Sequence, residues 1–132
     1  MSKSKPGRRV VVTGLGVVTP IGTTVDEFWA GMKAAKSGVS PLAGFPLDDL
    51  KILIAAQIKD FDPKQRLKHL KRDRIITLAD RYSWFAATAA DEAVRMSGLA
   101  LPLADPYRSA CIIGSGAGGL VTFETAYRDL FI

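Results

Sequence analysis

The sequence predicts an α/β protein in which helices are layered against parallel strands. Two short apolar runs, residues 9–13 and 109–113, are typical of buried strands. Residues 24–38, 73–96 and 120–130 have the residue spacing of helices. This alternation favours α/β layers with parallel strands. Two strands are too few to bury both faces of a sheet, so we expect further sequence or a partner to complete it.

The first strand leads into a loop rich in glycine and proline, residues 14–22, and then into the first helix. Thr24 is suited to cap this helix, and Glu27 three residues later completes a capping box. Ser37 and Gly38 are expected to end it, because glycine adopts the left-handed cap conformation. We expect four of its side chains to face inward: Phe28, Trp29, Met32 and Ala35.

Residues 39–63 contain three prolines and predict irregular structure with a short strand within 52–58. The long helix that follows, residues 73–96, has a charged face and an opposite face of aromatic and small residues. The charged face comprises Asp91, Glu92 and Arg95; the other comprises Tyr82, Phe85, Ala86, Ala89, Ala90, Ala93 and Met96. So many alanines on one face predict very close packing against a neighbour. Gly98 is expected to end the helix.

A length of 132 residues indicates one domain or part of one. We expect residues 1–8 to form a flexible basic tail. The single cysteine, Cys111, excludes an internal disulfide framework and fits a reducing compartment, so we expect a cytoplasmic protein. No stretch approaches the roughly 18 apolar residues of a membrane span, so no membrane association is expected.

The net charge of +5 is concentrated in the tail and in residues 64–74, where six of eleven residues are basic. A basic surface attracts nucleic acid, a membrane or an acidic protein. The same pattern also occurs on a solvated helix face. No aromatic residue interrupts the basic run and no zinc-finger spacing is present, so we expect no nucleic-acid partner.

The segment 114–119, Gly-Ser-Gly-Ala-Gly-Gly, follows the second strand and precedes the last helix. It matches G-x-G-x-x-G, the fingerprint of dinucleotide-binding proteins. The acidic partner of the ribose is expected about 20 residues later, whereas Glu124 and Asp129 come earlier. The fingerprint also normally belongs to the first strand–helix unit. A single match is weak evidence, and a nucleotide-dependent oxidoreductase is kept as an alternative.

The chain has one cysteine and one histidine, and neither lies in a sequence context typical of a catalytic residue. Cys111 stands in the middle of an apolar strand, which is typical of a small core residue rather than a thiolate nucleophile. His69 lies in the basic run and is interpreted as an exposed bystander. The sequence assembles no Ser/His/Asp triad, carboxylate pair or metal cluster, so we expect no metal and no cofactor.

Two segments taken together resemble the β-ketoacyl-acyl carrier protein synthases, which are condensing enzymes of the thiolase fold. Residues 9–22, Arg-Val-Val-Val-Thr-Gly-Leu-Gly-Val-Val-Thr-Pro-Ile-Gly, resemble the N-terminal signature of that family, and residues 113–120 resemble its glycine turn. Other matches come in the family's order at residues 28–29, 36–38, 58–62, 80–82 and 89–93. Residues 64–76 match poorly, and Leu78-Ala79 stand where the family usually has Arg-Met.

The resemblance implies αβαβα layers in the full-length parent, with residues 9–132 as an incomplete N-terminal part of the first half. It also implies decarboxylative Claisen condensation of an acyl thioester with malonyl-acyl carrier protein in fatty-acid biosynthesis. The family's nucleophilic cysteine and two histidines come later than the glycine turn, and neither Cys111 nor His69 matches them. We therefore expect no catalytic residue in this chain and no activity from it alone.

Substrate binding is implied at one place, the glycine turn. Ala117, with Gly116 and Gly118 beside it, takes the position that lines the family's acyl tunnel near the dimer interface. A small side chain there leaves room for medium or long acyl chains. The family's partner, acyl carrier protein, is acidic, which gives a reason for a basic surface. The resemblance further implies a homodimer.

A third hypothesis is a non-catalytic module that pairs with a separately encoded remainder or regulates a synthase. Because the predicted sheet is incomplete, we expect the isolated chain to expose apolar strand and helix faces and to aggregate or fold loosely.

Overall fold

The structure, a computed structural model, describes Gly7 and residues 9–44, 46–70 and 73–132. The helices are α1 (Val25–Lys33), α2 (Pro63–Leu67), α3 (Asp73–Leu78), α4 (Arg81–Ser97) and α5 (Leu120–Phe131). The strands are β1 (Ser40–Pro41) and β2 (Ile54–Ala55), and single 3₁₀ turns lie at Lys68–Leu70 and Pro106–Arg108. Apart from Gly7, the predicted tail lies outside the described residues.

The predicted cap of α1 is confirmed, but its acidic partner differs. The Thr24 hydroxyl accepts from the Glu27 N–H at 3.2 Å. The Glu27 carboxylate accepts from the N–H and the hydroxyl of Thr23, at 2.8 and 2.9 Å, rather than closing a box on Thr24. The helix ends at Lys33, before the predicted Ser37-Gly38, because Ala35 already has a positive φ of 49°. The predicted inward face is wrong for Trp29 and Met32, which are more than half exposed, and for Ala35, which is exposed beyond the end of the helix.

The two apolar runs predicted as strands, 9–13 and 109–113, have no regular secondary structure. A strand requires a hydrogen-bonded neighbour, and none of the described residues pairs with either run. Val10 is 86% exposed and Ile112 93% exposed, so both faces of these runs are uncovered. The described sheet consists of β1 and β2, which pair antiparallel and not parallel. The prediction of a short strand within 52–58 is confirmed by β2.

The predicted helix over 73–96 is broken into α3 and α4. Asp80 has extended backbone, with φ −73° and ψ 161°, and its carbonyl begins α4 by accepting from the N–H groups of Ser83 and Trp84. The indole N–H of Trp84 donates to the Ile76 carbonyl at 2.7 Å and ties the two helices together. Gly98 ends α4 with φ 69°, as predicted, and the prediction for α5 is confirmed to within one residue.

The close packing expected of the alanine face is made with the glycine loop, residues 14–22. A Cβ added at Gly14 would lie 2.0 Å from the Ala93 carbonyl oxygen, and one added at Gly16 would lie 1.8 Å from the Ala89 carbonyl oxygen. Both obstacles are helix backbone, so no side-chain movement relieves them. These two glycines therefore allow the loop to lie directly on the backbone of α4.

Glu92, a side chain of α4, also holds the glycine loop in place by hydrogen bonds. Its two carboxylate oxygens accept from the N–H of Val17 at 3.0 Å and from the N–H of Val25, the first residue of α1, at 2.8 Å. The sequence predicts Glu92 only as part of the charged face of the helix, and these two contacts were not foreseen. Hydrogen bonds to a charged acceptor are among the stronger ones in proteins. A single side chain of α4 thus holds both the loop and the start of α1.

The apolar core of the described residues is small. Leu67 and Ile76 are its buried side chains, at 2% and 4% exposure. Phe61 packs edge-on against Phe85 with ring centres 5.0 Å apart. Much apolar surface is exposed, as expected from the incomplete sheet; on α5 the exposed residues include Phe123, Tyr127, Leu130 and Phe131.

Replacing Gly16 by alanine should destabilise the whole protein by about 1–3 kcal/mol or more, because its Cβ would overlap the backbone of α4. The matched control is Gly7→Ala, where an added Cβ meets nothing within 4 Å. Its free energy of unfolding should stay within about 0.5 kcal/mol of the wild-type value. Equal effects of the two substitutions in chemical denaturation would refute the close approach.

The hydrogen bonds to Glu27 predict a pH dependence of stability. The Thr23 N–H, then the Thr23 hydroxyl, lower the pKa of Glu27 from its ordinary 4.5. A lowered pKa in the folded state means that the ionised carboxylate stabilises the fold above pH 4.5, and that this contribution is lost as the pH falls through the lowered pKa.

The variant Glu27→Gln should accordingly be less stable than the wild type at pH 7, by up to about 1 kcal/mol since solvent screens an exposed carboxylate. The difference in unfolding free energy should shrink below pH 4.5. Asp26→Asn, which removes a carboxylate from the same turn of α1, is the control. A difference that does not change with pH would contradict this role of Glu27.

Candidate functional site

The glycine turn, residues 114–119, has a defined backbone path. The Ser115 hydroxyl accepts from the Gly118 N–H at 3.0 Å and closes the turn over the two residues between them. Gly118 has φ +65°, a conformation that side chains with a Cβ rarely adopt. Directly after Gly119, the backbone enters α5. Sequence reasoning missed Ser115, although a serine three residues before a free backbone N–H is a known capping arrangement.

Three glycines of the turn face open space in the described structure. A Cβ added at Gly114, Gly116 or Gly118 would meet nothing within 4 Å. The methyl group of Ala117, at the tip of the turn, is exposed. At these three positions the turn therefore makes no close contact with described residues. The role of Ala117, Gly116 and Gly118 in acyl binding stays a prediction.

The fourth glycine of the turn, Gly119, lies against the start of α4. A Cβ added there would lie 2.0 Å from an oxygen of the Asp80 carboxylate and 3.7 Å from the ring of Tyr82. Asp80 makes no side-chain hydrogen bond to cap its own helix. Its carboxylate is directed at the neighbouring turn instead. The sequence predicts Asp80 only as part of a helix, and no local pattern signals this contact.

A cleft of about 420 Å³ lies where the glycine turn meets the start of α4. Its lining is mostly apolar and comes from two stretches that are adjacent only in the fold, residues 79–85 and 118–121. Tyr82, Trp84 and Phe85 contribute aromatic surface, and Arg81 lies with its guanidinium carbon 5.5 Å above the Phe85 ring. An open, apolar cleft of this kind suits a hydrocarbon chain better than a phosphate.

The basic run is partly engaged in contacts within the chain. The Arg66 guanidinium donates to the Thr23 hydroxyl, which in turn donates to Glu27. Lys64 and Lys68 are exposed. Residues 71–72 lie outside the described structure. The run is thus neither a fully solvated face nor a single uniform patch.

His69 is not a bystander. Its Nε2 lies 2.8 Å from a carboxylate oxygen of Asp91, whose other oxygen pairs with Arg95 at 3.0 Å. The interpretation from the sequence is corrected, because Asp91 on α4 and His69 are far apart in the chain and meet only in the fold. The His69 side chain is 47% exposed, which suits a surface pair more than a catalytic base.

Cys111 is exposed and not buried, which corrects the expected core position. The reason is the same as for the strand in which it was expected: no described segment covers residues 109–113. Within the described ranges, no three His, Cys, Asp or Glu side chains are grouped as metal ligands would be.

The nucleotide alternative finds no support in the geometry. In the dinucleotide fold the glycine motif joins a strand to a helix, and its last glycine allows close helix–strand packing. Here the preceding residues 109–113 form no strand, and the last glycine contacts a carboxylate, which would repel a phosphate. Among the residues with described positions, no helix is long and apolar enough to cross a membrane.

The chain is similar to known proteins over almost its whole length. The model of the β-ketoacyl synthase N-terminal domain matches residues 7–130. The 3-oxoacyl-[acyl-carrier-protein] synthase 2 of Coxiella burnetii is 41% identical over 123 residues, or 93% of this chain and 29% of the relative. A putative polyketide β-ketoacyl synthase 1 of Streptomyces cyaneus is 40% identical over 120 residues, or 91% of this chain and 28% of the relative.

Among solved structures, the ishigamide ketosynthase/chain length factor matches with a TM-score of 0.67 and 27% identity, over 93% of this chain and 30% of that chain. The match confirms the thiolase-like α/β fold expected from the sequence. The chain spans less than a third of the length of each of these three proteins.

Proposed function

Because the chain belongs to the β-ketoacyl synthase family through its N-terminal domain, we propose that the whole protein is a 3-oxoacyl-[acyl-carrier-protein] synthase of fatty-acid biosynthesis. The observation that carries this proposal is the family match over residues 7–130, supported by the 41% identity to a synthase of that name. The polyketide relative is almost as similar, so the chemistry of condensation is better supported than the pathway.

The proposed reaction joins two acyl units. An enzyme thiolate accepts the acyl group from an acyl thioester, and the carrier-protein thiol leaves. Malonyl-acyl carrier protein then loses CO₂, and the carbanion so formed attacks the enzyme-bound thioester. A carbon–carbon bond forms, the enzyme thiolate is released, and the product is a 3-oxoacyl thioester. We assign none of these covalent steps to Cys111, a free and exposed cysteine that precedes the glycine turn.

The part played by this chain is to bind the acyl group. The cleft beside the glycine turn is mostly apolar, and Ala117 presents only a methyl group at the tip of the turn. Burial of apolar surface gives about 0.8 kcal/mol per CH₂, which is enough to select among chain lengths. We propose that Ala117, with Gly116 and Gly118, borders the acyl chain and leaves room for medium or long chains.

The proposed partner is acyl carrier protein, an acidic protein. Lys64 and Lys68 are exposed at α2 and the turn after it, and neither is held by a described ion pair. Complementary charge speeds the encounter of such partners. A homodimer and a cytoplasmic location, both expected from the sequence, complete the proposal; residues 9–132 are taken as part of one synthase domain.

The activity is tested by incubating the whole protein with an acyl-acyl carrier protein and radiolabelled malonyl-acyl carrier protein. Release of labelled CO₂ together with a 3-oxoacyl product is the expected result. Quenching of protein fluorescence by NAD(P)H without condensation would overturn the proposal in favour of the oxidoreductase. Activity that appears only after a separate synthase chain is added would favour the non-catalytic module.

Replacing Ala117 by phenylalanine should block long acyl chains, because the ring fills space beside the turn. We expect kcat/KM for a long-chain acyl substrate to fall at least about tenfold, with little loss for a short one. Ala104→Phe places the same ring at an exposed alanine outside the turn and is the control. An unchanged chain-length preference would remove Ala117 from the acyl site.

Reversing two charges, as Lys64→Glu with Lys68→Glu, should raise KM for malonyl-acyl carrier protein several-fold and flatten its dependence on salt. A substrate on a small thiol carrier should react as before, because it has no acidic surface. Lys33→Glu with Lys36→Glu, at the end of α1, changes the net charge equally and serves as control. Equal effects of both pairs would indicate a nonspecific charge effect and refute the docking surface.

A further inference from the structure

We propose that Asp80 is a positioning residue for the glycine turn, holding the turn and Ala117 at a fixed distance from α4. The inference rests on the proposed function, since it names a second residue that sets acyl-chain preference. It concerns a contact between residues far apart in the chain: the first residue before α4 and the last residue before α5.

The contact is steric and close. A Cβ at Gly119 would lie 2.0 Å from one oxygen of the Asp80 carboxylate and 3.2 Å from its carbon. The carboxylate therefore occupies the space that any other residue at 119 would need. A Cβ added at Gly114, Gly116 or Gly118 would meet nothing within 4 Å. Of the four glycines in the turn, Gly119 is the one that packs against another described segment, the start of α4.

Asp80 is suited to this role because its own helix does not use its side chain. An aspartate before a helix normally accepts from the second or third N–H of that helix. Here the backbone carbonyl of Asp80 begins α4 and the side chain makes no capping hydrogen bond. The carboxylate points instead towards the start of α5, a helix of 12 residues, whose N-terminal dipole favours negative charge.

The turn is also closed by a hydrogen bond within itself, which links the position of Gly119 to that of Ala117. The Ser115 hydroxyl accepts from the Gly118 N–H at 3.0 Å, and Gly118 is fixed in the left-handed conformation at φ +65°. Ala117 lies between these two points. One residue, Gly118, separates Ala117 from Gly119, and its hydrogen bond to Ser115 restrains its backbone. A displacement at Gly119 therefore moves Ala117 as well.

The test is a double-mutant cycle on the whole protein, with Gly119→Ala, Asp80→Ala and the two combined. The product chain lengths and kcat/KM for long and short acyl substrates are measured. Gly119→Ala should shift the product distribution and lower kcat/KM for the long chain at least about fivefold, because its methyl group meets the carboxylate. Adding Asp80→Ala should restore the value to within about twofold of that of Asp80→Ala alone.

Two further variants keep the test decisive if Gly119→Ala fails to fold. Asp80→Asn has the same shape and should retain the wild-type chain-length distribution, whereas Asp80→Ala should broaden it and leave KM for malonyl-acyl carrier protein unchanged. Gly7→Ala, which meets nothing within 4 Å, is the control for substitution of a glycine.

The outcomes separate this inference from the function on which it rests. A wild-type protein that condenses no substrate refutes the proposed function. An active wild type in which the effects of the two substitutions are additive, or in which Asp80→Ala leaves product lengths unchanged, overturns the role of Asp80 alone. Equal melting temperatures of Asp80→Ala and Asp80→Asn, with different product lengths, show that the effect is one of position and not of stability.

Discussion

The packing of the glycine loop, residues 14–22, on α4 is the constraint on which the rest of the structure depends. Two glycines bring the loop against helix backbone, with no space for a methyl group at either position. The Glu92 carboxylate then satisfies two backbone N–H groups, one in the loop and one at the start of α1. Since a half-buried N–H that loses its partner costs free energy, we expect removal of this carboxylate to loosen both segments together.

The opposite end of α4 organises the candidate site. Its first turn supplies the aromatic wall of the cleft, and Asp80, just before it, meets Gly119. One helix therefore contacts both segments by which the chain resembles the β-ketoacyl synthases. Because it contacts both, α4 sets the distance between the N-terminal signature and the glycine turn. The acyl chain is proposed to lie beside the glycine turn.

What could be predicted from the sequence was local. The Thr24 cap, the Gly98 end of α4 and the extent of α5 follow from interactions within a few residues, and all three are confirmed. Strands depend on partners far away in sequence or outside the described residues. The prediction of strands at residues 9–13 and 109–113 is therefore wrong for this structure. The backbone contacts of Glu92 and the direction of the Asp80 side chain depend on neighbours that helical periodicity cannot reveal.

The most direct measurement of the role of α4 is hydrogen–deuterium exchange on the whole protein and its Glu92→Gln variant. An amide side chain keeps the shape but loses the charge, and a hydrogen bond to a charged group is worth about 1.5–3 kcal/mol. We expect exchange in the segment containing Val17 and Val25 to become at least about tenfold faster, while exchange in α5 is unchanged. Unchanged protection of Val17 and Val25 would contradict it.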